Sequence, residues 1–176
     1  MVKIIVAFAK DEQCARVASA LENVGLAVFR RCTSAGEVKQ AFNQCGDGIL
    51  IASCRLPDST IDALAWDLGD RAVVLAVGNP AQLELGEHPG IFKLAFPCSR
   101  GELTSAVSML LQFYRMRLST TRSAEEKQTI EKAKERLCRL KGMTEPQAHR
   151  FLQKSAMDRG MKLSEFAAKI LDMGKL

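Results

Sequence analysis

Lys132, Arg136 and Arg139 recur at steps of four and three residues, Lys134 and Lys141 lie a heptad apart, and Arg150 and Lys154 are four apart. On a helix these spacings line cationic side chains along a face, the first set on one and the second on its neighbour. Cations so arranged can follow a phosphate backbone, and an arginine can also stack on an unpaired base. The chemistry on offer is capture of a polyanion. Glu131 and Glu135 are within helical reach of the same cations, so the plainer alternative is a solvated, ion-paired surface.

Bond-making chemistry finds no comparable set. Cys14, Cys32, Cys45, Cys54, Cys98 and Cys138 include no C-x-x-C pair and no metal-ligand spacing with His88 or His149. Free thiols in a reducing compartment are expected. Neither a G-x-S-x-G elbow nor a phosphate-binding P-loop is present. The expectation is a protein that is not an enzyme and needs no cofactor or metal. Trp66 and most of the eight phenylalanines fall on apolar stripes and are assigned to core packing.

Charge divides the chain. Residues 1–110 hold ten Lys or Arg against twelve Asp or Glu, whereas residues 111–176 hold fifteen against eight. The net charge of +5 is therefore a nearly neutral N-terminal part joined to a strongly basic C-terminal part, as in a polyanion-binding module attached to a regulatory one. The opening run, MVKIIVAFAKDE, is too short for a signal peptide or a membrane span, and no later run approaches the length of a span. A soluble cytoplasmic protein without membrane contact is expected.

Three short amphipathic helices between 130 and 171 must position the cations. Ile130, Ala133, Leu137 and Leu140 form the first apolar stripe, which Gly142 ends. Thr144 with Gln147 is a capping-box pattern, and Pro146 sits in the first turn of the second helix. Ala148, Phe151, Leu152, Ser155 and Ala156 form the buried face of that helix, with Gly160 as its left-handed stop. Leu163, Phe166, Ala167, Ile170 and Leu171 supply the third stripe.

The pair AK at 133–134, Leu137, Gly142, Thr144, Glu145, Ala148 and Leu152, then AMDR at 156–159 with Leu163 and Ala167, resembles the ANTAR domain of bacterial antitermination regulators of the AmiR and NasR type. Glu135, His149 and Gln153 depart from that pattern. The resemblance implies a dimeric module that binds paired hairpins in a nascent leader transcript and prevents the terminator from forming. On this reading Lys134, Arg136, Arg139, Lys141, Arg150, Lys154, Arg159 and Lys162 are the candidate RNA contacts. A DNA-binding response regulator is the alternative, because two helices around Gly160 could form a helix-turn-helix. An adaptor whose N-terminal part sequesters a partner is a third reading.

Upstream, apolar strand-length runs at 2–8, 27–30, 49–53, 72–77 and 91–96 alternate with helical patterns. One such pattern carries Val17, Ala18, Leu21 and Val24 and is closed by Gly25; the next is capped by Ser34. This rhythm predicts a flavodoxin-like α/β domain over 1–110, with a parallel sheet covered on both faces. With LPD at 56–58 and FPCSRGEL at 96–103, it resembles the receiver domains of bacterial response regulators. Aligning those motifs puts Phe8 and Ala9 at the acidic pair, Ser53 at the phosphoacceptor position, Ala76 at the hydroxyl residue and Phe96 at the lysine. The resemblance therefore implies a pseudo-receiver controlled by a regulatory protein or ligand. Asp11, Glu12 and Asp58 are read as helix caps and dipole partners.

Leu103, Val107, Leu110 and Tyr114 then begin a helical pattern that runs unbroken to Gly142. Its polar stretch, 119–128, is either a flexible joint or a solvated length of coiled coil, so 103–129 is read as a linking helix and 119–176 as the ANTAR domain. A homodimer along this helix is expected.

Overall fold

In the computed structural model, which describes residues 2–173, each apolar run becomes a strand of one parallel sheet. The order along the chain is β1 (Ile4–Ala7), α1 (Asp11–Glu22), β2 (Val28–Cys32), α2 (Ala35–Cys45) and β3 (Gly48–Ser53), then a small hairpin of β4 (Arg55–Leu56) and β5 (Ser59–Thr60). Then come α3 (Ile61–Leu68), β6 (Ala72–Gly78), α4 (Pro80–Glu84), β7 (Ile91–Ala95) and α5 (Arg100–Lys141). The sheet order β2-β1-β3-β6-β7, with every pairing parallel, is the flavodoxin-like doubly wound arrangement.

Side-chain alternation splits the apolar surface into two cores. Ile5, Leu50 and Val74 join Phe42 of α2 and Leu64 of α3 on one face. Val6, Ile51 and Leu75 join Leu21 of α1 and Val107, Leu110 and Tyr114 of α5 on the other. Each large aliphatic side chain so withdrawn contributes about 1.5–3 kcal/mol. The Tyr114 hydroxyl also donates to Asp47 Oδ2 at 2.9 Å, fastening α5 to the turn before β3. The edge strands β2 and β7 carry exposed residues, as sheet edges do. All six cysteines are free, and burial pushes the Cys32 thiol up to about 11, so it stays protonated.

Two compact units meet between Arg115 and Met116, within α5. The second unit completes its own core with α6 (Glu145–Asp158) and α7 (Leu163–Asp172). Residues 119–128 are helical and almost entirely exposed. Among the described residues no helix is long and apolar enough to cross a membrane.

Several expectations need correction. Val24 is 52% exposed, because α1 ends at Glu22 and Gly25 turns the chain away; Cys14 fills the inner face instead. Trp66 is 67% exposed on α3, whose inner face is made by Ile61, Leu64, Ala65 and Leu68. Its ring meets that of His88 edge-on at 4.5 Å. The register of β6 also moves one residue, since Ser53 pairs with Val77 while Ala76 faces the opposite core beside Ala52.

Asp58 is a cap, as expected, though it serves a distant helix. Its carboxylate accepts from the backbone N–H groups of Ala35 at 2.7 Å and Gly36 at 3.0 Å, in the first turn of α2. Those donors lower the Asp58 pKa below the usual carboxylate range. Because the folded value is depressed, its stabilisation is present above the ordinary carboxylate range and lost as pH falls through the lowered value. Asp58→Ala should therefore cost about 1 kcal/mol near neutral pH, with urea midpoints of variant and parent converging in strong acid. An unchanged midpoint near neutrality would mean that water serves those N–H groups equally well.

Candidate functional site

The three-helix unit closes around a small core of Ala133, Leu137, Ala148, Leu152, Phe166 and Ala167. Gly142 and Gly160 follow α5 and α6 with φ of +62° and +61°, the left-handed geometry that ends a helix without a Cβ penalty. The Thr144 N–H donates to Gln147 Oε1 at 2.9 Å, the Gln147 half of the expected capping box at the start of α6. Ile130, Ala133 and Leu137 pack inward, but Leu140 is 69% exposed. At about 100° per residue the buried sector of α5 points between Ala133 and Lys134, which leaves position 140 on its rim.

Lys134, one of the eight candidate RNA contacts, is the buried one. It is 8% exposed, and its Nζ lies 2.7 Å from Glu131 Oε1 and 2.8 Å from Glu145 Oε1. Ala133 is fully buried, and Lys134 spans to Glu145, the first residue of α6. Hydrogen bonds donated to Glu131 and then to Glu145 raise the Lys134 pKa, and the bond accepted from Lys134 lowers that of Glu145. Glu131 and Glu145 are themselves largely exposed, so solvent screening keeps the ion pairing modest and most of the contribution comes from the packed stem.

Three other predicted contacts are also engaged within the unit. Arg136 Nη1 donates to the Leu171 carbonyl at 3.0 Å, near the C-terminus of α7, where a cation is favoured. Lys141 Nζ sits 4.9 Å from the centroid of the Phe151 ring. Arg159 lies 4.9 Å from that of Phe166 and donates weakly to the Ser155 carbonyl at 3.4 Å. Arg139, Arg150, Lys154 and Lys162 are exposed, and among the described residues none of them is in an ion pair. Met157, inside AMDR, is 80% exposed beside them in sequence. Periodicity carried no signal for it, because it follows Ala156, the last buried position of α6.

In the first unit, the C-terminal ends of the strands open onto a cleft of about 940 Å³ lined by Phe8, Ser53, Val77 and Phe96. Ser53 Oγ donates to the Arg55 carbonyl at 2.8 Å. Val77, rather than Ala76, is the β6 residue beside Ser53, and neither carries a hydroxyl. Among the described residues, the one carboxylate lining the cleft, Glu12, pairs with Arg16 at 2.7 Å. Among the described residues, no three His, Cys, Asp or Glu side chains converge.

Residues 119–171 match the ANTAR domain family. Similar solved structures include the PhyR stress response regulator, at 22% identity and a TM-score of 0.54 over 65% of this chain and 46% of that one. The response regulator PhyR from Brucella abortus is 19% identical, with a TM-score of 0.58 over 68% of this chain and 51% of its own. A response regulator receiver domain protein from Clostridium thermocellum is 17% identical, with a TM-score of 0.58 over 66% of this chain and 98% of its own. The chain spans about half the length of the two PhyR proteins. A search of curated proteins gave no significant match. At these identities the likeness establishes the fold, so the chain joins a receiver-type fold to an ANTAR domain.

The Lys134 bridge has a stability consequence. Lys134→Ala should lower the stability of the three-helix unit by about 1–2 kcal/mol, from the lost cover of its methylene stem. The depressed Glu145 contributes above the ordinary carboxylate range and fades as pH falls through its folded value; the raised Lys134 contributes below its ordinary value and fades as pH rises through its folded one. Thermal melts across pH should show the parent's advantage over Lys134→Met only between those limits. A constant difference would remove the ion pairs from the account.

Proposed function

We propose that the chain is an RNA-binding transcription antiterminator, a binding protein rather than an enzyme, acting in the cytoplasm on hairpins of a nascent leader transcript. The observation that carries this reading is the match of 119–171 to the ANTAR family, whose members act in RNA-binding antitermination. The exposed cations of the same unit support it. Arg139, Arg150, Lys154 and Lys162 can reach phosphates, and Met157 offers an apolar surface to an unpaired base. Lys134 serves here by holding α6 against α5, so its loss weakens binding through the fold.

The protein acts as a homodimer in this proposal. Met109, Phe113, Met116 and Leu118 of α5 are all at least 42% exposed, an apolar load that a second copy would cover. Control passes through a regulatory protein or ligand on the first unit, because Phe8, Ser53, Val77 and Phe96 offer neither a phosphoryl acceptor carboxylate nor an ammonium where receivers use them.

A gel-shift comparison of a tandem-hairpin RNA, a loop-scrambled copy and duplex DNA of equal length tests the main reading. The tandem hairpins should bind best, with affinity falling steeply as salt rises. Arg150→Ala and Lys154→Ala should each weaken binding several-fold or more, about 1–2 kcal/mol where a base contact is lost, whereas Lys127→Ala should not. Sedimentation of the same sample should give two chains per bound RNA. Equal affinity for all three nucleic acids, or preference for DNA, would defeat the proposal.

Incubation with acetyl phosphate and Mg²⁺ addresses the first unit. Mass spectrometry should find no stable phosphate adduct. A gain of one phosphate, abolished by replacing an acidic residue of this unit, would restore phosphorylation as its control.

A further inference from the structure

The cleft in the first unit has the size and lining of a ligand site. Its volume, about 940 Å³, falls in the range that encloses most of a small organic molecule. It lies outside the carboxyl ends of the parallel strands, where doubly wound sheets bind ligands. The lining is chiefly apolar, with Phe8, Val17, Ala20, Val77, Phe96 and Leu103. Phe96 is 57% exposed, so an aromatic ring in a concave site is left to water.

Charge narrows the ligand class. Glu12 and Arg16 neutralise each other at 2.7 Å. Arg100 remains, exposed and, among the described residues, without an ion pair. A divalent cation finds no ring of carboxylates here, and a polyphosphate finds one free guanidinium. The lining best suits an apolar ring or short acyl body with a single negative charge.

We infer that this cleft binds a small organic anion, its apolar body against Phe8, Val77 and Phe96 and its carboxylate, sulfonate or phosphate group on Arg100. The inference deepens, and rests on, the proposal that the first unit is governed by something other than phosphorylation. Its test reads ligand binding alone, so a failure here leaves the phosphodonor result standing.

The experiment uses the full chain with 8-anilinonaphthalene-1-sulfonate as probe, N-phenyl-1-naphthylamine as its neutral counterpart and inorganic phosphate as competitor. Fluorescence titration should give one saturable sulfonate site per chain, with amide shifts in NMR spectra confined to residues lining the cleft. The neutral probe should bind about tenfold more weakly, the value of one charge-assisted hydrogen bond. Arg100→Gln should bring the sulfonate down to the neutral probe's affinity and leave the neutral probe unchanged. Val77→Phe should weaken both; if it fails to fold, the exposed Arg100→Gln decides alone. Excess phosphate should weaken the sulfonate through Arg100 and leave the neutral probe unchanged; displacement of the neutral probe by phosphate, shifts outside the cleft, or an Arg100→Gln variant that binds the sulfonate as tightly as the parent would each overturn the inference.

Discussion

Burial of the parallel sheet on both faces is the constraint from which the first unit follows. β1, β3 and β6 contribute almost wholly buried side chains to two separate cores, so no functional group can sit along the strands without an uncompensated desolvation cost. Chemistry is confined to the strand ends, where the backbone leaves the sheet and side chains converge on the cleft. What a doubly wound domain does therefore depends on a handful of residues that contribute little to its stability. Here those positions hold Phe8, Ser53, Val77 and Phe96, of which Phe8 and Val77 also belong to the core around Ile51, whereas Ser53 and Phe96 belong to neither core.

The three-helix unit lives under the opposite constraint. Its fully buried side chains are mostly alanines, with Leu137, Leu152 and Phe166 as the large members, so apolar burial alone holds it weakly. Polar and cation–aromatic contacts then carry a larger share: Lys134 on Glu131 and Glu145, Arg136 on the Leu171 carbonyl, Lys141 on Phe151 and Arg159 on Phe166. Ala133 lies in the buried core and its neighbour Lys134 reaches across to Glu145 at the start of α6, so the AK pair joins an apolar and a polar contact on one turn.

Reading the chain alone recovers the elements whose signals are local. Continuous apolar runs gave all five sheet strands, Ser34 caps α2 through the Glu37 N–H, and Gly142 and Gly160 stop their helices as expected. What it misses depends on how elements are rotated or where they stop. Leu140 and Val24 satisfy the helical period yet lie outside the buried sector, because neither packing direction nor the last helical residue is encoded in the period itself. Ala76 and Val77 differ by one residue, and in a strand that single step exchanges one face of the sheet for the other. Trp66 looked like core by type, but on α3 its position faces solvent.

The same distinction governs the basic residues. Net charge counts every lysine and arginine of 111–176 alike, whereas a polyanion meets only those whose side chains are not already held. Four of the eight predicted contacts are turned onto carboxylates, a carbonyl or aromatic rings of their own unit. Releasing any of these to a phosphate would forfeit an interaction that supports the helices. Arg139, Arg150, Lys154 and Lys162 are exposed and, among the described residues, in no ion pair, whereas the motif residues Lys134 and Arg159 contact side chains of their own unit. Net charge therefore overstates how many of these cations stand clear of intramolecular contacts.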